Sequence, residues 1–242
     1  MKDSSLSEEQ LRHANGGLLV ALSETGFAFM RELSPEVPTI EIAHALGVPI
    51  DMTRLLPNAR IPTVQDLVPR RKEGAPKNQY SGHYGLADFP LHTDLAHWFR
   101  PPRYFMLRCI RGEPSVSTYL LPAAAIANHI GQTTLARAVA RPRRAPSAGA
   151  HCLLPLLFSD GLTVGFRWDP LFLVPMNKAA HAVETLMSAY ATPSPDIGRV
   201  QFEHPGDTLL IDNWRFLHGR SSVQKGGTNR YLQRIYMSEI NA

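Results

Sequence analysis

Apolar positions follow two different patterns along this chain, and the change comes near Pro102. Upstream the pattern is helical and interrupted. Ser5 with Glu8 three residues on has the form of a capping box, which predicts an amphipathic helix running to about Ser23. Gly26 breaks that segment, Phe27-Ala28-Phe29-Met30 reads as a first strand, and residues 39–46 read as a second helix stopped by Gly47. Residues 69–82 are polar and carry Gly74, Pro76 and Gly82, which predicts a long loop. Downstream, short apolar runs rich in β-branched and aromatic residues recur at 104–110, 116–121, 152–158, 163–168, 208–211, 216–218 and 231–237. Turn formers separate several of them: Gly112-Glu113-Pro114, Ser159-Asp160-Gly161 and Pro205-Gly206-Asp207. Helical patches interrupt at 123–140 and 177–190. Many short strands at this spacing predict a mainly β sandwich or barrel with helices packed outside. No internal repeat or linker composition divides residues 1–242, so a single domain is expected.

Composition narrows the class without changing that picture. A hydrophobic fraction of 44% and a charged fraction of 19% are those of a soluble globular protein. No apolar run is long enough to span a membrane, and the polar start does not read as a signal peptide. Cys109 and Cys152 both lie inside apolar runs, where buried free thiols are expected, and a cytoplasmic location is the simplest assumption. The net charge of +4 concentrates in Arg70-Arg71-Lys72 and Arg141-Pro142-Arg143-Arg144. Both clusters adjoin Pro or Gly and read as solvated loops. Nucleic-acid binding would need a wider basic face, and attraction of an anionic substrate stays open.

The first chemical signal is Leu91-His92-Thr93-Asp94. In an extended segment residues two apart share a face, so His92 and Asp94 can reach one metal ion. His218, inside Asp212-Asn213-Trp214-Arg215-Phe216-Leu217-His218-Gly219-Arg220, is a third candidate. Two histidines and one carboxylate on one face of a metal are characteristic of non-haem iron(II) oxygenases. The plainer readings are a strand-end histidine at 92 and a half-buried core histidine at 218. Further on, Arg230, Leu232, Arg234 and Tyr236 share a strand face. Two arginines there need anionic partners if the face points inward, and none if it is an exposed edge.

With Pro90, Pro101-Pro102, Ser117-Thr118-Tyr119-Leu120 and Pro205-Gly206-Asp207 added, these pieces resemble the taurine dioxygenase, γ-butyrobetaine hydroxylase and clavaminate synthase group of 2-oxoglutarate-dependent oxygenases. The resemblance covers about a third of the chain, in the order that group requires. It implies a double-stranded β-helix (jelly roll) core with flanking α-helices, and iron held by His92, Asp94 and His218. It further implies that Fe(II), 2-oxoglutarate and O2 are used to oxidise a small molecule, with release of succinate and CO2. Arg230, twelve residues after His218, then takes the place that grips the far carboxylate of 2-oxoglutarate. Thr118 takes the place that donates a hydroxyl to it. Arg234 takes a place used in some relatives for a substrate carboxylate or sulfonate, the alternative being a structural ion pair with a nearby acid such as Asp207 or Asp212. The carboxylate at Asp94 implies oxygenation rather than halogenation.

The mixed polar and aromatic stretch 80–88, with Tyr80, His83, Tyr84 and Asp88, is expected to line or cover the substrate pocket, the alternative being an ordinary connecting strand. Trp98 and His97 are weaker pocket candidates, a core role being the default for the indole. Two rival readings use the same residues: a zinc hydrolase, and a non-catalytic barrel that binds a small molecule or a protein. The sequence names neither the substrate nor the reaction outcome, and it leaves the oligomeric state and the basic loops unassigned.

Overall fold

The computed structural model describes residues 8–55, 61–144, 152–190, 196–224 and 227–241. Ser5 of the expected capping box lies outside them. The first third contains α1 (Glu8–Thr25), β1 (Phe27–Met30), α2 (Thr39–Leu46), β2 (Gly47–Pro49), α3 (Met52–Leu55), β3 (Gln65–Leu67), α4 (Tyr80–Tyr84) and β4 (Phe89–His92). Next come β5 (Tyr104–Arg111), β6 (Ser117–Pro122), α5 (Ala123–Ile130), α6 (Gln132–Arg137), β7 (Val139–Pro142), β8 (Leu154–Pro155), β9 (Leu157–Ser159), β10 (Val164–Phe166) and β11 (Leu173–Pro175). The chain then forms α7 (Lys178–Ala189), β12 (Gly198–Gln201), β13 (Thr208–Asp212), β14 (Phe216–Arg220) and β15 (Tyr231–Ile240).

Two antiparallel sheets face each other. The larger runs β1-β13-β5-β15-β2, with β3 also paired to β15, and the smaller runs β12-β6-β14-β4. Side chains alternate between the faces with period two, so each long strand feeds two cores. Phe105, Leu107, Leu209, Ile211, Leu232 and Tyr236 meet Leu120, Val200 and Phe216 between the sheets. Met106, Leu210, Ile235 and Met237 point the other way, onto Leu18, Leu22, Ile42 and Leu46 of α1 and α2. On the opposite side, Tyr119, Leu121 and Leu217 meet α5, α7 and the small β11-β7-β8 sheet. The molecule is thus helix, sheet, sheet, helix in section: the mainly β sandwich with outer helices that the patterning predicts, and the double-stranded β-helix that the resemblance implies. Burial on both faces explains why the core strands read as continuous apolar runs, each large side chain contributing about 1.5–3 kcal/mol.

Several boundaries differ from expectation. The patch at 123–140 is two short helices that turn at Gly131 (φ 86°) and end at Arg137, and its last residues are strand β7. The run at 152–158 divides at Leu156 into β8 and β9. The expected loop at 69–82 holds a 3-10 turn at Lys72–Gly74, and Gly82 lies inside α4 instead of breaking the chain. Residues 80–88 are therefore a helical turn and connector, not a strand. Cys109 is buried and Cys152 half-buried, both free, and they pack into different cores. Among the described residues no helix is long and apolar enough to cross a membrane.

Candidate metal and co-substrate site

Neighbouring strands deliver the two histidines. His92 closes β4, His218 lies in the middle of β14, and they are direct partners across the ladder. Leu91 and Leu217 point to the outer core, so alternation turns both imidazoles inward. Their ring centroids are 4.3 Å apart, and Phe105 backs His218 at 4.7 Å. Nδ1 of His92 lies 2.8 Å from the Pro90 carbonyl and donates to it, which leaves Nε2 free for ligation.

Asp94 stands on a turn that is fastened from several directions. Its backbone N–H donates to Oδ1 of Asn213 at 2.8 Å, and Nδ2 of Asn213 donates to the carbonyls of Asp94 at 3.0 Å and Pro102 at 2.9 Å. Leu95, next in the chain, has φ of 53°, a left-handed conformation that a branched side chain adopts only under constraint. The constraint is visible: buried Arg167 donates to the carbonyls of Ala96, Trp98 and Phe99. Trp98 packs against the inter-sheet core.

Oδ1 of Asp94 is 3.7 Å from Nε2 of His92 and 3.7 Å from Nε2 of His218. The three ligand atoms all lie within 4.8 Å of one another, and all three residues are buried. Oδ2 of Asp94 accepts from Nη1 of Arg234 at 2.7 Å, and Nη2 of Arg234 donates to Oε1 of Gln65 at 2.7 Å. Arg234 thus forms the ion pair with a nearby acid that the sequence offered as the alternative, but the acid is Asp94, since Asp207 binds Arg31 and Asp212 binds Arg103. Burial works against ionisation of Asp94, but Arg234, His218 and His92 together hold its carboxyl far below the usual range. Burial, with the charges of His92 and Arg234, pushes His218 down to about 3, so it is neutral and its lone pair is available. For His92 burial is outweighed by Asp94 and Asp169, and its pKa is raised.

Further along the inner face, Nη2 of Arg230 donates to Oγ1 of Thr118 at 2.9 Å, and both side chains are buried. Nε of Arg230 has no partner, and among the described residues no carboxylate forms an ion pair with this guanidinium. Burial and nearby Arg220 lower its pKa to about 10, which leaves it charged at neutral pH. His218 lies opposite Leu120 and Arg220 opposite Thr118, so Thr118 is two positions, about 7 Å, along β6 from the level of the histidine.

Aromatic rings close over the histidines. Tyr80 of α4 stacks on His92 with centroids 4.1 Å apart and planes at 22°. Its hydroxyl donates to Oδ1 of Asp169 at 2.9 Å, and the same oxygen accepts the N–H groups of Leu171 and Phe172. Tyr84 stacks on Tyr80 at 5.6 Å, and His97 reaches Phe172 at 5.1 Å. Of the four residues named in the 80–88 stretch, Tyr80 and Tyr84 come to the site, while His83 and Asp88 are exposed. Gln65, Asp169 and Arg167 carried no signal in the sequence. Asn213 stood inside the quoted motif without an assigned role.

Comparison with known proteins bears on the fold and on sequence likeness. No family model matches the chain. The chain is 26% identical over 193 residues to an L-lysine 3-hydroxylase of Catenulispora acidiphila, an alignment covering 72% of this chain and 51% of the relative. It is 27% identical over 164 residues to clavaminate synthase 2 of Streptomyces clavuligerus, covering 61% and 49%. Among solved structures, asparagine oxygenase AsnO superposes with a TM-score of 0.68 at 20% identity, covering 96% of this chain and 83% of that one. The non-haem iron oxygenase OrfP, solved with Fe and α-ketoglutaric acid, gives 0.66 at 21% identity, covering 97% and 81%. The chain spans about half the length of the curated relatives it matches, 51% and 49%. It has the fold of these iron oxygenases, and in sequence it resembles the taurine dioxygenase and clavaminate synthase-like group of 2-oxoglutarate-dependent oxygenases.

Proposed function

We propose that this chain is an Fe(II)- and 2-oxoglutarate-dependent oxygenase that hydroxylates a small amino acid or related carboxylate. The observation that carries the reading is the pairing of two unmet needs on one inner face. One is a buried set of two imidazoles and a carboxylate within 4.8 Å, the donor set suited to iron(II) with positions left open. The other is the buried Arg230 guanidinium, bonded to Thr118 but lacking an anion. A short dicarboxylate spanning the two satisfies both.

His92, Asp94 and His218 would hold the metal, and bound iron with 2-oxoglutarate and O2 would supply the oxidising power, releasing succinate and CO2. The chain's own work is orientation and exclusion of water. Arg230 and Thr118 fix the far end of the co-substrate by charge-assisted and hydroxyl hydrogen bonds. Asn213 holds the Asp94 turn, and Tyr80 with Tyr84 shields His92 from solvent. Arg234 keeps N–H donors beyond those given to Asp94 and Gln65, and with them it holds the substrate's carboxylate. The relatives support an amino-acid substrate: their names and titles refer to lysine, asparagine and hydroxyarginine. Two free cysteines suit a cytoplasmic protein.

Anaerobic titration with Fe(II) and 2-oxoglutarate tests the reading. A visible charge-transfer band should grow only when both are present, and His218→Ala should abolish it. Under air, an amino acid that is a substrate should be consumed in step with succinate formation. No band from the unaltered chain would leave the zinc hydrolase or the non-catalytic barrel as the better account.

A further inference from the structure

A carboxylate can hold a metal through one oxygen or through both, and here the choice has consequences. Three protein ligand atoms leave three of six positions on an octahedral ion. A two-oxygen Asp94 leaves only two, one short of what a chelating oxo acid and O2 require together. The structure treats the two oxygens differently. Oδ1 lies 3.7 Å from both histidine Nε2 atoms, while Oδ2 is held by Nη1 of Arg234 at 2.7 Å.

Arg234 is itself aimed by a neighbour. Gln65 on β3 and Arg234 on β15 are direct cross-strand partners, so their side chains rise from the same face. Oε1 of Gln65 takes the N–H of Nη2 at 2.7 Å, which sets the plane of the guanidinium and points Nη1 at Oδ2. Nε of Arg234 and Nε2 of Gln65 have no hydrogen-bond partner, and the Tyr236 ring lies 4.8 Å from the guanidinium, so Gln65 is the hydrogen-bond acceptor that sets its in-plane orientation beside Asp94. The pair is well enclosed, with side-chain exposures of 20% for Arg234 and 7% for Asp94, and solvent does little to weaken it.

We infer that Gln65 is a positioning residue that, through Arg234, fixes Asp94 as a one-oxygen metal ligand and keeps the third coordination position open. The inference rests on the metal reading above, since it needs an ion at the three ligands. Without an acceptor at position 65 the guanidinium loses its orientation, Oδ2 is released, and it swings onto the metal in place of one water.

The test counts waters and needs no turnover. The full chain, freed of metal, is loaded with Mn(II), and the bound waters are counted from the broadening of its EPR lines in oxygen-17 water. The unaltered protein should carry three. Gln65→Leu should carry two, and Gln65→Glu, which keeps an acceptor for Nη2, should return to three. Melting curves establish that each variant is folded, and Gln65→Ala serves in the same arm if Gln65→Leu does not fold. Three waters in the variant lacking an acceptor would overturn the inference, as would two in the unaltered chain or two in Gln65→Glu. If the unaltered chain binds no Mn(II), or His92→Ala binds it equally well, the metal reading fails and the inference falls with it.

Discussion

Buried guanidinium groups in this protein divide into two kinds, and under the proposed function the difference marks the one that takes the co-substrate's carboxylate. Arg108 donates to the carbonyls of Leu33, Ser34, Val37 and Gly206, and Arg167 and Arg220 likewise bind main-chain carbonyls. These arginines staple loops to strands, and their partners are built in. Among the described residues Arg230 hydrogen-bonds one side chain, Thr118, lies over the Phe202 ring and keeps a bare Nε. Arg230→Leu should therefore leave the melting temperature close to that of the unaltered protein, because no internal ion pair is broken. Affinity for 2-oxoglutarate should fall by the worth of a charge-assisted hydrogen bond, about 1.5–3 kcal/mol, or roughly ten- to a hundredfold. Calorimetric titration under anaerobic conditions measures this, and unchanged affinity would remove Arg230 from the co-substrate site. Arg230 could be singled out in the sequence because it sits twelve residues after His218. Gln65 and Asp169 could not. Gln65 matters only because β3 pairs with β15, and Asp169 only because α4 brings Tyr80 to it, and neither pairing leaves a local mark.

Legibility at the scale of elements follows burial. Strands β5, β13 and β15 are buried on both faces and appear in the sequence as unbroken apolar runs. Short strands such as β2, β3 and β12 were missed, since three or four residues with mixed exposure give no period to read. The segment carrying α4 is the instructive case. Its Gly- and Pro-rich composition reads as loop, yet Leu86 accepts the N–H of Val223 and Arg220 donates to Gly85 and Ala87. Those bonds fasten its C-terminal end to the strand after His218. Its other end is held over His92 by Tyr80, through one ring stack and one hydrogen bond to Asp169. Tyr80→Phe keeps the stack and removes the bond. Stability should fall by about 1 kcal/mol. Fe(II) and 2-oxoglutarate should bind as before, while the substrate KM rises because the cover is no longer latched to Asp169. A variant in which KM is unmoved, with stability reduced, would assign Tyr80 to packing alone.

At the scale of the whole molecule, the candidate metal ligands draw on both sheets, which the Arg230–Thr118 and Asn213–Asp94 hydrogen bonds also join. His92 and His218 belong to the smaller sheet, whereas Asp94 is bonded to Arg234 of the larger one. A divalent ion bound at all three should then stabilise the fold as a unit. At a metal concentration a hundred times its Kd the gain is about 2.7 kcal/mol. For a chain of this size that corresponds to a rise in melting temperature of roughly 5–10 °C. Mn(II) under argon avoids oxidation during the scan. His218→Ala should melt near the metal-free temperature with or without Mn(II), and an equal rise in that variant would mean the ion binds among the other histidines of the ten in the chain. The pH dependence has a definite sign. Protons compete with the metal for imidazole, and His92 has a pKa raised above its ordinary value of about 6.5. The metal-dependent rise should be fully present at alkaline pH and should shrink as the pH falls through neutrality, as His92 takes up its proton. His218, held down to about 3 by burial, adds nothing to that loss near neutral pH. Asp94, held well below the usual carboxylate range, stays ionised throughout. A rise that is constant from pH 8 to pH 5 would show that His92 is not among the ligands.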